Sequence, residues 1–457
     1  MSDLEQKVDV LIIGAGLAGS DAAFYLAERG VSVALLESKR LKPNPAQKIP
    51  HFAELVCTNS LKSLDPDSAH GLLKTEMKGL GSLILDCAYL HKVPAGDALA
   101  VDREAFSQEI TQRLSAHPLI QVIDREVANP LLEAERFQAK HTLIASGPLT
   151  TPALENWLKS ELSPDDLYFY DAIAPVVDGE TLDYSKLYFK DRHKHVEGDE
   201  VEADYLNAPM NKEEYERFIA ALVSAEKVAP KDFEDYKFFE ACLPVDLMAE
   251  RGPETARFSC MKPIGLEQAD GTIPYACVQL RKENLLGSAF NLVGFQTRLK
   301  YPEQIKVFRM IPGLENASFL HLGSVHRNTF LNSRKILSYD FSSLKYPNLS
   351  FAGQMTGVEG YTESAATGLY VASQIWRKLQ GLESVRWPVE TGIGALVNYV
   401  MTAEKPAPSN LNFGLLPPVQ LTKEQRRKKS GLKKVKKALA AERARTVFQE
   451  FYENSRA

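Results

Sequence analysis

The sequence contains no run approaching about eighteen uninterrupted apolar residues, and its first nine, Met-Ser-Asp-Leu-Glu-Gln-Lys-Val-Asp, hold no apolar block of the kind a signal peptide needs. Membrane spanning and export are therefore not expected, and a cytoplasmic location is. Cysteine is scarce: Cys57, Cys87, Cys242, Cys260 and Cys277 make an odd count without paired spacing. That excludes a disulfide framework and a zinc site, and leaves reduced thiols and no metal. The net charge of -5 gives no global attraction for a polyanion. What is present, 457 residues at 44% hydrophobic and 25% charged, suffices for two or three soluble domains with a large core.

The N-terminus reads as strand (Val8 to Ile13), glycine turn, helix (Leu17 to Arg29) stopped by Gly30, and strand (Val31 to Leu36) ending at Glu37. In Gly14-Ala15-Gly16-Leu17-Ala18-Gly19 the glycines allow a tight turn, close backbone approach to a pyrophosphate and close helix-to-strand packing. The helix N-terminus adds roughly half a positive charge. Glu37 is placed to accept from adenosine ribose hydroxyls and disfavours a 2'-phosphate. This unit alone leaves FAD and NAD undecided.

A second apolar strand, His141-Thr-Leu-Ile-Ala-Ser-Gly147, reads as a buried member of the same sheet. Near the end, Gly353-Gln354-Met-Thr-Gly357-Val-Glu359-Gly360 runs into Ala365-Ala366 and a helix. A second glycine-rich turn at a helix start favours FAD, because a long cofactor needs another helix N-terminus near its isoalloxazine.

Between these landmarks, Lys39 to Pro50 reads as a loop leading toward chemistry, with Cys57 just beyond it. The expected organisation is a first FAD-binding part over 1–165, an insert over 166–315, a second FAD-binding part over 316–420 and a basic C-terminal helix over 421–457. From Lys423 to Arg445 eleven residues are Lys or Arg and only Glu424 and Glu442 are acidic. Such a helix is either a solvated face or a contact for nucleic-acid phosphates.

Cys57 and Cys242 each fit either a packed thiol or a reactive one. A free thiol of pKa ~8.5 is a nucleophile only with a local positive field or a base. His326, Arg281 and Tyr361 are candidate substrate contacts.

Taken together, Gly14-Ala-Gly-Leu-Ala-Gly19, Phe52-Ala-Glu-Leu-Val-Cys57, Phe238-Phe-Glu-Ala-Cys242, Val325-His-Arg-Asn-Thr-Phe330 and Phe351-Ala-Gly-Gln-Met-Thr-Gly-Val-Glu-Gly-Tyr361 resemble the folate- and FAD-dependent tRNA (uracil-5-)-methyltransferases. The likeness runs from residue 8 to about Asn412-Phe-Gly-Leu415, with departures at Asp21, Glu37-Ser-Lys-Arg40 and Thr58. It implies a Rossmann-like, GR2-type FAD-binding α/β domain with an inserted α+β domain. It also implies methylation of uridine 54 in the tRNA T-loop, with 5,10-methylenetetrahydrofolate giving the carbon, reduced FAD the hydride, and NADH or NADPH recharging the flavin. Cys242 matches the family residue that adds to uracil C6, and Cys57 the second family cysteine. The same chemistry on ribosomal RNA and a non-catalytic flavin-containing RNA-binding protein are the alternatives.

Overall fold

The computed structural model describes residues 5–44, 46–162, 167–172, 174–192, 203–228, 243–284, 287–404, 408–422 and 432–456. Cys242 lies outside the described residues, as does the basic run 423–431.

Val-Leu-Ile-Ile and Val-Ala-Leu-Leu are apolar on both faces, which suits strands covered by helices on each side rather than a sheet open to water. They form Val10–Ile13 and Val33–Glu37, two strands of a five-stranded parallel sheet ordered Leu349–Phe351, His141–Ile144, Val10–Ile13, Val33–Glu37, Ile120–Asp124. Register is in phase across its centre: Ile13 pairs with both Leu36 and Ile144. This is the Rossmann-like core expected from the first motif.

Two helices sit unusually close on one face of that sheet. A Cβ on Gly368, in the helix Tyr361–Leu379, would stand 2.2 Å from the carbonyl oxygen of Ala18 in the helix Leu17–Ala27. A Cβ on Gly353 would lie 3.2 Å from the Ala18 side chain. The second glycine-rich segment thus returns to the first, bringing the two helices together through residues that lack side-chain bulk.

A separate apolar core, including Phe218, Phe290, Phe295 and Phe308, lies under a six-stranded antiparallel sheet. Its strands, in spatial order, are Tyr188–Phe189, Tyr205–Met210, Ala276–Lys282, Ala289–Leu292, Val176–Asp178 and Phe319–His321. The helix Lys212–Ser224 opens on a reciprocal cap, in which Asn211 Oδ1 accepts from Glu214 N and Glu214 Oε2 accepts from Asn211 N. The chain runs between the two sheets through an antiparallel ribbon, Leu167–Ala172 against Val325–Phe330.

The helix Leu432–Arg456 is held at its C-terminal half by buried Ala441, Ala444 and Phe448. Phe448 stacks against Tyr452 and meets Trp387, and Arg445 donates to the Pro66 carbonyl at 2.8 Å. Its first turns are different: Lys434, Val435, Lys436 and Lys437 are all exposed. Among the described residues, no helix is long and apolar enough to cross a membrane, and no cluster of His, Cys, Asp or Glu is arranged to hold a metal.

Candidate functional site

Gly14 has φ +103°, and a Cβ there would meet the Ala145 carbonyl oxygen at 2.5 Å. Gly19 sits against the Gly14 carbonyl oxygen, which a Cβ would approach to 1.8 Å. Gly16 differs, since the nearest atom to its would-be Cβ is 4.0 Å away. Two glycines are therefore required by the protein's own packing, while the third leaves open the space where a ligand would lie. Gly16 is also the N-cap of the first helix and supplies no side-chain acceptor, so the first-turn amides keep their capacity for an anion.

A cavity of about 410 Å3 opens on this turn, lined by Gly14, Gly16, Glu37, Ala145 and Gly147 among others. Glu37 Oε2 accepts from Ala15 N at 2.7 Å and its Oε1 from Lys39 N at 2.8 Å. The carboxylate thus braces the glycine turn, and each oxygen retains a lone pair for a further donor. Turn, free helix amides, carboxylate and cavity fit a dinucleotide.

The second glycine-rich segment is braced internally. Gly353 N donates to Thr367 Oγ1 at 2.9 Å, and Gln354 Nε2 donates to Glu359 Oε2 at 2.7 Å. Ala366 is wholly buried in the core. Gly353, Gln354, Gly357, Glu359, Gly360 and Ala366 line neither that cavity nor the next one described.

The segment leading to Cys57 is tied to the glycine turn: Ala53, at φ 49°, donates its amide to the Ala15 carbonyl at 3.0 Å. A left-handed non-glycine residue costs about 1–2 kcal/mol, so neighbouring contacts must hold it. Lys39 supplies some of them, with Nζ 2.6 Å from Glu54 Oε2 and donating to the His51 carbonyl at 2.6 Å. Both Lys39 and Glu54 side chains are almost fully enclosed.

Cys57 is half-buried and lines a second cavity, of about 430 Å3, together with Lys48, Arg103, Glu283, Tyr301 and His321. Its walls come from both sheets' surroundings. Burial, with Arg103 and Lys48 nearby, holds the His321 imidazole below its usual range. Cys87, Cys260 and Cys277 are free thiols that burial pushes up to about 12, which disfavours the thiolate form at neutral pH.

Of the candidate substrate contacts, Tyr361 and Arg281 meet at the Cys57 loop. The Tyr361 hydroxyl accepts from Cys57 N at 2.7 Å and Thr58 N at 3.2 Å, and burial holds that phenol well above its usual range. Arg281 is buried and donates from Nη2 to Thr58 Oγ1. Both side chains support the loop here. The backbone of His326 lies in the interdomain ribbon, opposite Asp171. Asn59, Arg103, Glu283 and the Lys39–Glu54 pair escaped sequence inspection, because their partners are brought close only by the fold.

A family model described as glucose inhibited division protein A matches residues 9–383. The chain is 47% identical over 445 residues to methylenetetrahydrofolate–tRNA-(uracil-5-)-methyltransferase TrmFO of Natranaerobius thermophilus, covering 97% of this chain and 98% of that one. It is 50% identical over 413 residues to the protein of the same name from Heliobacterium modesticaldum, covering 90% and 92%. Among solved structures, Aquifex aeolicus GidA aligns over 97% of this chain and 73% of its own, with a TM-score of 0.68 at 14% identity, a likeness of fold.

Proposed function

The chain belongs to the TrmFO family, within the group described as glucose inhibited division protein A, and from that premise we propose that it forms 5-methyluridine at position 54 of the tRNA T-loop. The carbon comes from 5,10-methylenetetrahydrofolate. We assign residues 1–165 and 316–420 to FAD binding and 166–315 to the insert; of the basic C-terminal segment 421–457, Leu432–Arg456 is the helix and 423–431 lie outside the described residues. The observation that carries this reading is the position of Cys57, on the wall of a cavity that also takes residues of the insert and close behind the dinucleotide cradle.

Uracil C5 is a poor nucleophile until a thiolate adds at C6. In this mechanism the Cys242 thiolate forms a bond to C6, and the electron pair moves to C5, which attacks the methylene carbon. Loss of the C5 proton then expels tetrahydrofolate from the methylene carbon and leaves an exocyclic methylene at C5; hydride addition to that carbon sends the electron pair back through C5, expels the Cys242 thiolate from C6 and restores the C5–C6 double bond. To Cys57 we assign removal of the C5 proton, shielding of the site or holding of an intermediate, roles its position on the cavity wall supports. Gly14 to Gly19 and Glu37 would hold FAD, which, when bound and reduced by NADH or NADPH, would supply that hydride. The cavity beside Cys57 suits a base turned out of the RNA stack.

The test supplies purified protein with methylenetetrahydrofolate, NADH or NADPH, and unmodified tRNA alongside a ribosomal RNA fragment. 5-Methyluridine at position 54 of tRNA is expected. Methyl found only in ribosomal RNA would overturn the substrate, and bound RNA without any methylation would overturn the enzyme reading.

A further inference from the structure

Three consecutive residues at the end of the strand Ala276–Lys282 and just past it cross to the first part of the chain, two of them to the loop that carries Cys57 and the third to the start of the helix Arg103–Ala116. Arg281 donates to Thr58 Oγ1, the Lys282 carbonyl accepts from Asn59 Nδ2 at 3.1 Å, and Glu283 Oε2 lies 2.9 Å from Arg103 Nη2. Just before the neighbouring strand Tyr205–Met210, the Asp204 carboxylate accepts from Gly96 N. Asn59, Arg281 and Glu283 are buried, while Arg103 is partly exposed and, with Glu283, faces the second cavity.

This seam is poorly designed for stability alone. Among the described residues, Arg281 Nε, Arg103 Nε and Glu283 Oε1 are buried without hydrogen-bond partners. Buried ion pairs of this sort gain little over apolar packing, but they fix relative position strongly, because displacement strands a charge away from water. A fixed position is needed here. The chain crosses between the two sheets by a two-stranded ribbon, and a two-stranded pairing is only marginally stable by itself.

We propose that Arg281, together with the Arg103–Glu283 pair, is a positioning clamp that sets the separation between Cys57 and the insert carrying Cys242. The proposal rests on the two-cysteine reading above. None of the clamp residues need touch the base, so they act through the Cys57 loop.

The experiment compares holoenzyme with Arg281→Met, Thr58→Val and the double variant. Methyl-transfer kcat is expected to fall about tenfold in each single variant and no further in the double, because both remove one shared contact. KM for tRNA should stay within about threefold, and NAD(P)H-driven bleaching of the flavin should keep its rate. Iodoacetamide should alkylate Cys57 several-fold faster in the variants. Thr58→Val, being nearly isosteric, serves if Arg281→Met does not fold. Unchanged methyl transfer in the single variants, additive losses in the double, or a parallel fall in flavin reduction would each overturn the clamp alone. Wild-type protein unable to methylate any RNA would instead sink the function on which it rests.

Discussion

The Tyr361 hydroxyl accepts hydrogen bonds from the backbone amides of Cys57 and Thr58, joining the first turn of the helix Tyr361–Leu379 to a loop 304 and 303 residues earlier in the chain. A phenol raised well above its usual range remains protonated at neutral pH, so this oxygen serves the loop as a neutral acceptor.

Tyr361→Phe removes an acceptor shared by two partly buried amides, a loss of about 1–3 kcal/mol concentrated on one loop. Flavin content should be retained, while methyl transfer falls at least several-fold. Absorbance of the purified variant and a single-turnover assay check both halves, and wild-type methylation in the variant would remove Tyr361 from the loop's support.

The glycine turn separates packing from ligand space. Gly19→Ala forces a Cβ to within 1.8 Å of the Gly14 carbonyl oxygen, so the backbone must shift. That variant should be less stable by about 1–3 kcal/mol or more and should purify without flavin. Gly16→Ala meets nothing nearer than 4.0 Å, so the apoprotein should melt near wild type while FAD affinity drops. Thermal melts of the apoproteins with flavin titrations distinguish the two; equal destabilisation would contradict the assignment of Gly16 to ligand space.

His141 gives a pH dependence. Burial first, then the nearby Lys378 charge, holds its imidazole down to about 3, and its Nε2 lies 2.8 Å from Ser350 Oγ. The unfolded chain binds a proton below about 6.5 that the folded chain refuses, so this contribution to stability is present above 6.5 and lost as pH falls toward 3. In His141→Gln the acid limb of the denaturant midpoint between those values should be shallower than in wild type. Parallel limbs would show that the imidazole does not drive it.

The C-terminal helix divides into an anchored half and an exposed one. Truncating it would bare the packing around Phe448 and Trp387, so Lys434, Lys436 and Lys437→Gln is the cleaner change. If these lysines contact phosphates, the slope of log affinity for tRNA against log salt should shrink by about 2, with melting unchanged. An unaltered slope would mark that turn as a solvated face.

What the sequence determined by itself was local in the chain. The cradle at Gly14 to Gly19 was legible because its demands are steric and backbone-based: a positive φ at Gly14, and no room for a Cβ at Gly14 or Gly19. The parallel strands were legible because their apolar runs fit only a sheet covered on both faces. The motifs around Cys57 and Cys242 carried the family likeness for the same reason, as contiguous runs. What only the tertiary structure decided was how side chains are used. Glu37 braces the turn, Ala366 fills the core, and Arg281 and Tyr361 support the Cys57 loop. Each of those outcomes depends on a partner set by packing, in two cases from more than 200 residues away. Hydrogen bonds and burial act over a few ångströms of space, and no spacing along the chain records which distant residues the fold will bring within that reach.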